Sequence, residues 1–168
     1  MPIAQTLLPE FDHEMANTRR MLEVVPAADA GWRPHPKSTT LGDLAAHIAT
    51  LPLWGRVTIE QTELDLGVPA NSSIARIRFT TVPELLEHFD RNVREARAAL
   101  AAASDADLGL PWTLKNAGRT VFTMPRAAVL RGFVLSHSIH HRGQLSVYLR
   151  LRDVPLPSLY GPTADTRG

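Results

Sequence analysis

The stretch HSIHHRGQ, residues 137–144, places three histidines within five positions of an otherwise apolar, helix-periodic segment. That segment runs from about residue 124 to residue 151, and its apolar residues recur at steps of three and four. An α-helix advances about 100° per residue, so His137 and His141 lie about 40° apart on the apolar face. The pattern therefore predicts a long helix whose buried face carries two imidazoles.

Three more segments show the helical period, and no segment shows sustained strand alternation. The predicted helices have apolar stripes over residues 8–22, 41–54 and 82–100, and the fourth helix opens at TMPR, residues 123–126. Thr40 and Thr81 are predicted N-caps of the second and third helices, because each precedes an acidic residue by three positions. The linkers over 23–39, 61–80 and 104–122 are too long for tight hairpins. We therefore predict one all-α domain over residues 1–168, a four-helix bundle with long crossover connections.

Composition excludes several functional classes. Hydrophobic residues make up 44% of the 168 residues and charged residues 21%, as in ordinary globular proteins. The net charge is +1, and no run of Lys or Arg favours nucleic acid or a membrane surface as a partner. No apolar run approaches the ~18 residues of a membrane span, and the N-terminus lacks a signal-peptide pattern. We therefore expect a soluble, cytoplasmic protein.

The chain has no cysteine, so any metal site must use histidine or carboxylate ligands. His47 lies on the apolar face of the second helix, and we predict that it joins His137 and His141 as a metal ligand. A divalent ion satisfies three buried imidazoles at once, and without thiolates it keeps open positions for water or substrate. Imidazole ligands suit Zn²⁺ or Ni²⁺, among others. The alternative is a structural bundle whose histidines hydrogen-bond internally.

The other histidines and several neighbouring residues receive weaker assignments. His140 lies at the edge of the ligand face, and three more histidines point elsewhere: His13, His35 and His88. Gln144 and Tyr148 share the ligand stripe and are candidate catalytic residues, contacting substrate or metal-bound water, or else satisfying each other or the backbone. We identify no residues for an organic cofactor.

For three further polar residues near the histidines, the sequence leaves more than one role open. Asp43 lies one turn before the second-helix histidine, so it either orients that ring or caps the helix. Arg142 points away from the stripe, toward a salt bridge or a dimer contact. Tyr160 lies in the C-terminal tail, which could fold back over the site.

Three motifs together make the sequence similar to the DinB-like (YfiT-like) metal-binding bundles. They are LGDLAAHIA at 41–49, HSIHHRGQLSVYLR at 137–150 and VPLPSLYGPTAD at 154–165. The resemblance covers nearly the whole chain, and it implies a four-helix bundle in up-down-down-up order, commonly dimeric. The family's metal ligands correspond to His47, His137 and His141.

The resemblance implies a metal site more strongly than a reaction, because one fold supports several functions. Members of the family include metal-dependent transferases and isomerases that use thiols such as mycothiol or bacillithiol. The resemblance thus implies a metal-dependent S-transferase or isomerase, or a hydrolase, acting on a small-molecule substrate. A non-catalytic, metal-binding stress-response protein is the alternative.

Overall fold

The computed structural model describes residues 2–71, 74 and 77–166, and most of them are helical. Four long helices form the body of the protein: α1 (Ile3–Glu23), α2 (Leu41–Glu60), α3 (Val82–Ala102) and the last helix, α5, over residues 126–150. The last helix is continuous but changes pitch, being α-helical over Arg126–Val129, π-helical over Leu130–Ser136 and α-helical again over His137–Arg150. The predicted helical fold with four main helices is confirmed.

Short elements fill the connections between the long helices. α4 (Asp105–Gly109) is a single short helix, and two 3-10 turns cover Ala27–Asp29 and Pro69–Asn71. The predicted N-caps of α2 and α3 are confirmed. The Thr40 hydroxyl accepts the Asp43 backbone N–H at 3.1 Å, and the Thr81 hydroxyl accepts that of Glu84 at 3.3 Å. Each cap satisfies a backbone donor that the first turn of a helix leaves without a partner.

A small sheet lies in the connections that we expected to be irregular. It contains β1 (Glu63–Asp65), β2 (Pro111–Asn116) and β3 (Arg119–Pro125), with β1 parallel to β2 and β2 antiparallel to β3. The sequence showed no sustained strand alternation, so the β2–β3 hairpin that begins within the 104–122 linker was not predicted. The fourth helix also starts later than TMPR suggested, because residues 123–125 end β3 and the helix begins at Arg126.

The turn between β2 and β3 depends on a contact from another part of the chain. Ala117 and Gly118 form a two-residue loop, and both have positive φ, at 49° and 78°. A primed turn of this kind requires positive φ at both positions, which alanine rarely adopts. Asp65, at the end of β1, accepts the Gly118 backbone N–H at 2.7 Å and that of Gly67 at 2.8 Å. A tertiary contact therefore stabilises a turn that the local sequence encodes weakly.

The sheet serves as a common reference for the direction of every long helix. β1 follows α2, β2 follows α3 and α4, and the three strands share one sheet, so α2 and α3 both end beside it. α5 leaves β3 and runs away from the sheet. The first turn of α1 lies at the same end, because the Ile3 backbone N–H donates to Asp105 at 2.6 Å. The order is therefore up-down-down-up.

Two apolar clusters hold these elements together. The larger fills the space between the four helices, and the smaller packs the sheet against α2 and α5 around Trp112, which is fully buried. Within the part of the chain that the structure describes, no helix combines the length and the apolarity needed to cross a bilayer. The clusters fix α2 relative to α5, and the candidate site lies between these two helices.

Candidate metal centre

Three histidine side chains meet between α2 and α5. Each offers one ring nitrogen, and the three nitrogens all lie within 4.8 Å of one another. The Nε2 atom of His137 lies 2.8 Å from Nε2 of His141 and 3.4 Å from Nε2 of His47. The structure therefore brings together the three histidines that the sequence analysis selected, in an arrangement that could hold a metal ion.

Two helices position these rings through their regular spacing. His137 and His141 lie one turn apart on α5, so they present their rings side by side, with centroids 4.6 Å apart. His47 comes from the middle of α2 and packs edge-on against His141, also at 4.6 Å between centroids. Since all three residues are half-buried, the cluster is held by packing yet stays accessible from one side.

Hydrogen bonds to the other ring nitrogens orient two of the three imidazoles. The Nδ1 atom of His141 lies 2.7 Å from Oε1 of Gln144, and the ring of His137 bonds the backbone of Phe133. An Nδ1–H that donates to an oxygen leaves the Nε2 lone pair free to bind a metal. Phe133 belongs to the π-helical part of α5, a rare geometry that often occurs at functional sites.

Burial favours the neutral form of the α5 histidines. Desolvation lowers the pKa of His137 from its ordinary value, and the charge on a protonated His141 lowers it further, although the Phe133 hydrogen bond opposes the shift. Desolvation likewise lowers the pKa of His141, against an opposing hydrogen bond from Gln144. Neutral imidazoles are the form that binds a metal ion. The local environment therefore prepares these rings for coordination at neutral pH.

The cluster forms part of the wall of an open cavity. The cavity has a volume of about 340 Å³, within the range of small-molecule sites. Its lining combines polar and apolar side chains: Thr39, Asp43, Leu44, His47, Ile77 and His141. A small molecule in this cavity can therefore reach the histidine nitrogens directly.

The candidate catalytic residues have protein partners in the structure. Gln144 hydrogen-bonds the ring of His141 and so orients a candidate metal ligand. This role was not predicted from the sequence. The Tyr148 hydroxyl lies 3.4 Å from the Thr39 carbonyl oxygen, and its ring packs edge-on against Trp32. Their direct contact with substrate stays a prediction.

Of the two roles left open for Asp43, the structure shows the one at the start of α2, beside the Thr40 cap, and orientation of the His47 ring stays a prediction. The Asp43 carboxylate accepts the Thr40 hydroxyl at 2.7 Å at the start of α2, and its side chain also lines the cavity. His140 is exposed and contacts the ring of His141 at 4.9 Å between centroids. His13 and His35 are exposed as expected, whereas His88 is half-buried beside Arg91, away from the cluster.

Arg142 and Tyr160 form a separate polar cluster between α1 and α5. Arg142 is only 2% exposed, and it donates to the carboxylate of Glu14, to the Thr18 hydroxyl at 3.0 Å and to the Tyr160 hydroxyl. Tyr160 in turn donates to Glu14 at 2.7 Å. The tail therefore folds onto the α1 side of α5. Sequence reasoning missed Glu14, because a glutamate inside an apolar stripe gives no sign of its partner 128 residues away.

The fold and the site together define a class of protein. Its members are helical bundles in which two helices bring three histidines together beside a cavity. This chain belongs to the DinB superfamily, whose sequence model matches residues 10–145. The matched region includes all three histidines of the cluster. It also includes the whole of α2 and α3, so it spans most of the bundle.

Individual relatives support the same fold. The uncharacterized protein YrdA of Bacillus subtilis is 25% identical over 162 residues, covering 94% of this chain and 88% of YrdA. A crystal structure of the DinB-like protein YjoA of Bacillus subtilis superposes with a TM-score of 0.69 at 19% identity, over 94% of this chain and 99% of the other. A DinB-like protein of Bacillus cereus gives 0.67 at 23% identity, over 91% and 95%.

Proposed function

We propose that this protein is a metal-dependent enzyme that uses a low-molecular-weight thiol in a transfer or isomerisation reaction. Its ion, Zn²⁺ or Ni²⁺, is held by His47, His137 and His141. The observation that carries the proposal is the convergence of three histidine nitrogens beside a cavity of about 340 Å³, which His47 and His141 line. A purely structural ion needs no such access.

The donor set fits this chemistry. Three neutral imidazoles suit a borderline ion such as Zn²⁺, and a three-histidine site keeps a position for an exogenous ligand. Among the described residues, the group of side chains that could hold the ion contains these three histidines alone. An ion bound there supplies Lewis-acid chemistry, which lowers the pKa of a coordinated thiol and makes it nucleophilic at neutral pH.

The residues around the ligands have separate tasks. Gln144 and the Phe133 backbone hold the rings of His141 and His137, so that both Nε2 lone pairs meet at one point. Leu44 and Ile77 give the cavity apolar walls, which exclude water from one side of a bound substrate. The chain thus supplies positioning and partial desolvation, while the electrophilic chemistry belongs to the ion.

Cobalt substitution tests the open coordination position. The Co²⁺-loaded protein is titrated with 2-mercaptoethanol while its visible d–d bands and the near-ultraviolet sulfur-to-cobalt charge-transfer region are recorded. We expect a new, saturable charge-transfer band with one thiol bound per ion. The matched control is His140→Ala, which removes an exposed neighbouring imidazole and should leave the titration unchanged.

A closed site gives a different result. Bands that do not move with millimolar thiol, azide or imidazole would mean that the ion pins α2 to α5 and does not act on a substrate. A positive titration then leads to an activity screen, in which low-molecular-weight thiols are combined with electrophilic substrates and conjugation is followed by loss of free thiol. The His47→Ala variant provides the background rate for this screen.

A further inference from the structure

The cavity beside the histidine cluster is lined by residues at the start of α2 as well as by histidines. Its wall includes His47 and His141, and it also includes Thr39 and Asp43. Asp43 and His47 are four residues apart on the same helix, a rise of about 6 Å along its axis. A molecule bound at the histidines therefore reaches the Asp43 carboxylate with a spacer of two or three atoms.

Asp43 places a negative charge on the cavity wall, and it hydrogen-bonds the neutral hydroxyl of Thr40. Its carboxylate accepts the Thr40 hydroxyl at 2.7 Å, and the side chain is exposed to the cavity. No lysine or arginine of residues 2–71, 74 and 77–166 forms a salt bridge with it, unlike Asp12, Asp29 and Asp90, each of which pairs with an arginine. The Asp43 carboxylate therefore faces the cavity without the arginine partner that these three aspartates have.

We propose that Asp43 selects substrates with a positively charged head, two or three atoms away from the group that binds the metal. This inference rests on the proposed function, because it concerns the substrate class of the same site. Leu44 and Ile77 also line the cavity, and their apolar side chains suit a short alkyl spacer. The cavity thus fits a small cationic thiol better than a neutral or anionic thiol of the same size.

A charge series of thiols tests the inference. Thiocholine carries a quaternary ammonium that cannot coordinate a metal, and 3,3-dimethyl-1-butanethiol is its neutral isostere. Both are titrated into the Co²⁺-loaded protein at low salt, with 2-mercaptoethanesulfonate as the anionic comparison. We expect thiocholine to bind about twofold to fivefold more tightly than the neutral isostere, the size of an exposed ion pair. The preference should shrink at high salt, because salt screens an exposed charge.

The Asp43→Asn variant removes the charge but keeps an oxygen that accepts the Thr40 hydroxyl. Its preference for thiocholine should fall to near unity while its cobalt content is unchanged. The matched control is Glu84→Gln, which removes the corresponding first-turn carboxylate from α3, beside a different cap. This control should keep the wild-type preference.

The outcomes separate the inference from the function on which it rests. Equal binding of thiocholine and its neutral isostere to the wild-type protein overturns the charge selection and leaves the open metal site standing. Failure of all three thiols to perturb the cobalt spectrum overturns both proposals. If Asp43→Asn loses the ion, the wild-type preference and its salt dependence decide the question without that variant.

Discussion

Two polar clusters on opposite faces of α5 are built in contrasting ways, although they use adjacent residues of that helix. In the Glu14–Arg142–Tyr160 cluster, opposite charges meet in a buried place, and both terminal nitrogens of the Arg142 guanidinium have oxygen partners. In the three-histidine cluster, three imidazole nitrogens lie close together beside a cavity that His47 and His141 line.

The difference shows how to distinguish structural polarity from a ligand site. Complementary donors and acceptors satisfy one another, so the first cluster needs nothing from outside the chain. In the second cluster the three Nε2 atoms lie close together in a group that could hold a metal ion. Neutral imidazoles are the form that binds such an ion. The first cluster is therefore complete within the chain, whereas the second has the arrangement of a ligand site.

The largest expected effect comes from breaking the buried ion pair. Arg142→Met removes the guanidinium and leaves the Glu14 carboxylate buried without its counterion. We expect the free energy of unfolding, measured in urea, to fall by about 3–5 kcal/mol. The double variant Glu14→Leu with Arg142→Met should recover much of that loss, because it leaves no isolated charge. A loss below about 1 kcal/mol in the single variant would show that the pair contributes little.

Removal of a ligand histidine should weaken metal binding and leave the fold intact, whereas Arg142→Met destabilises the fold. His47→Ala is expected to weaken metal binding by at least about 100-fold, since it removes a direct ligand rather than a group behind one. The metal-free variant should stay folded, because the apolar stripe of α2 is intact. Calorimetric titration with Zn²⁺ and thermal unfolding measure the two effects separately. The neighbouring variant His140→Ala is the control, and metal loss there with retention in His47→Ala would refute the assignment.

A smaller effect is expected at Gln144, which orients a ligand without binding the ion. Gln144→Ala removes the acceptor 2.7 Å from Nδ1 of His141, so the ring loses its fixed orientation. Metal affinity should fall about 10- to 100-fold. Tyr148→Phe is the matched control, because its hydroxyl contacts a backbone carbonyl and not a ring nitrogen. Equal affinities in Gln144→Ala and the wild type would remove Gln144 from the site.

Acidification should produce the smallest effect on the metal-free protein. Desolvation lowers the pKa of His137 and His141 below the ordinary value of 6.5, so the unfolded chain binds protons more readily than the folded chain. The corresponding stability is fully present above pH 6.5 and is lost as the pH falls through the lowered values. Urea unfolding at pH 7.5, 6 and 5 measures this. The double variant His137→Gln with His141→Gln should lose less stability over the same range.

Much of this structure follows from local patterns. The helical period and the capping threonines predicted the four long helices, because both signals act within a few residues. The i, i+4 spacing on α5 placed His137 and His141 on one face, and the apolar stripe of α2 directed His47 inward. These features depend on the geometry of a single helix, so a sequence pattern reveals them.

Features that depend on distant contacts were missed. The β2–β3 hairpin turns at Ala117 and Gly118, and the bond from Asp65 that holds this turn comes from 53 residues earlier in the chain. The π-helical segment before His137 also has no periodic signature that distinguishes it from α-helix. Glu14 became recognisable only when Arg142 was placed beside it. For the hairpin turn and for Glu14, the deciding contact comes from a distant part of the chain that no local window contains.

We propose that His47, His137 and His141 bind one ion through their Nε2 atoms and leave one coordination position free. The most direct measurement is X-ray absorption on the protein reconstituted with Zn²⁺, combined with elemental analysis of the same sample. We expect close to one ion per chain, with three imidazole nitrogens at about 2.0–2.1 Å and at least one further light-atom ligand from solvent. A folded protein that remains metal-free after reconstitution with Zn²⁺ and with Ni²⁺ contradicts this proposal.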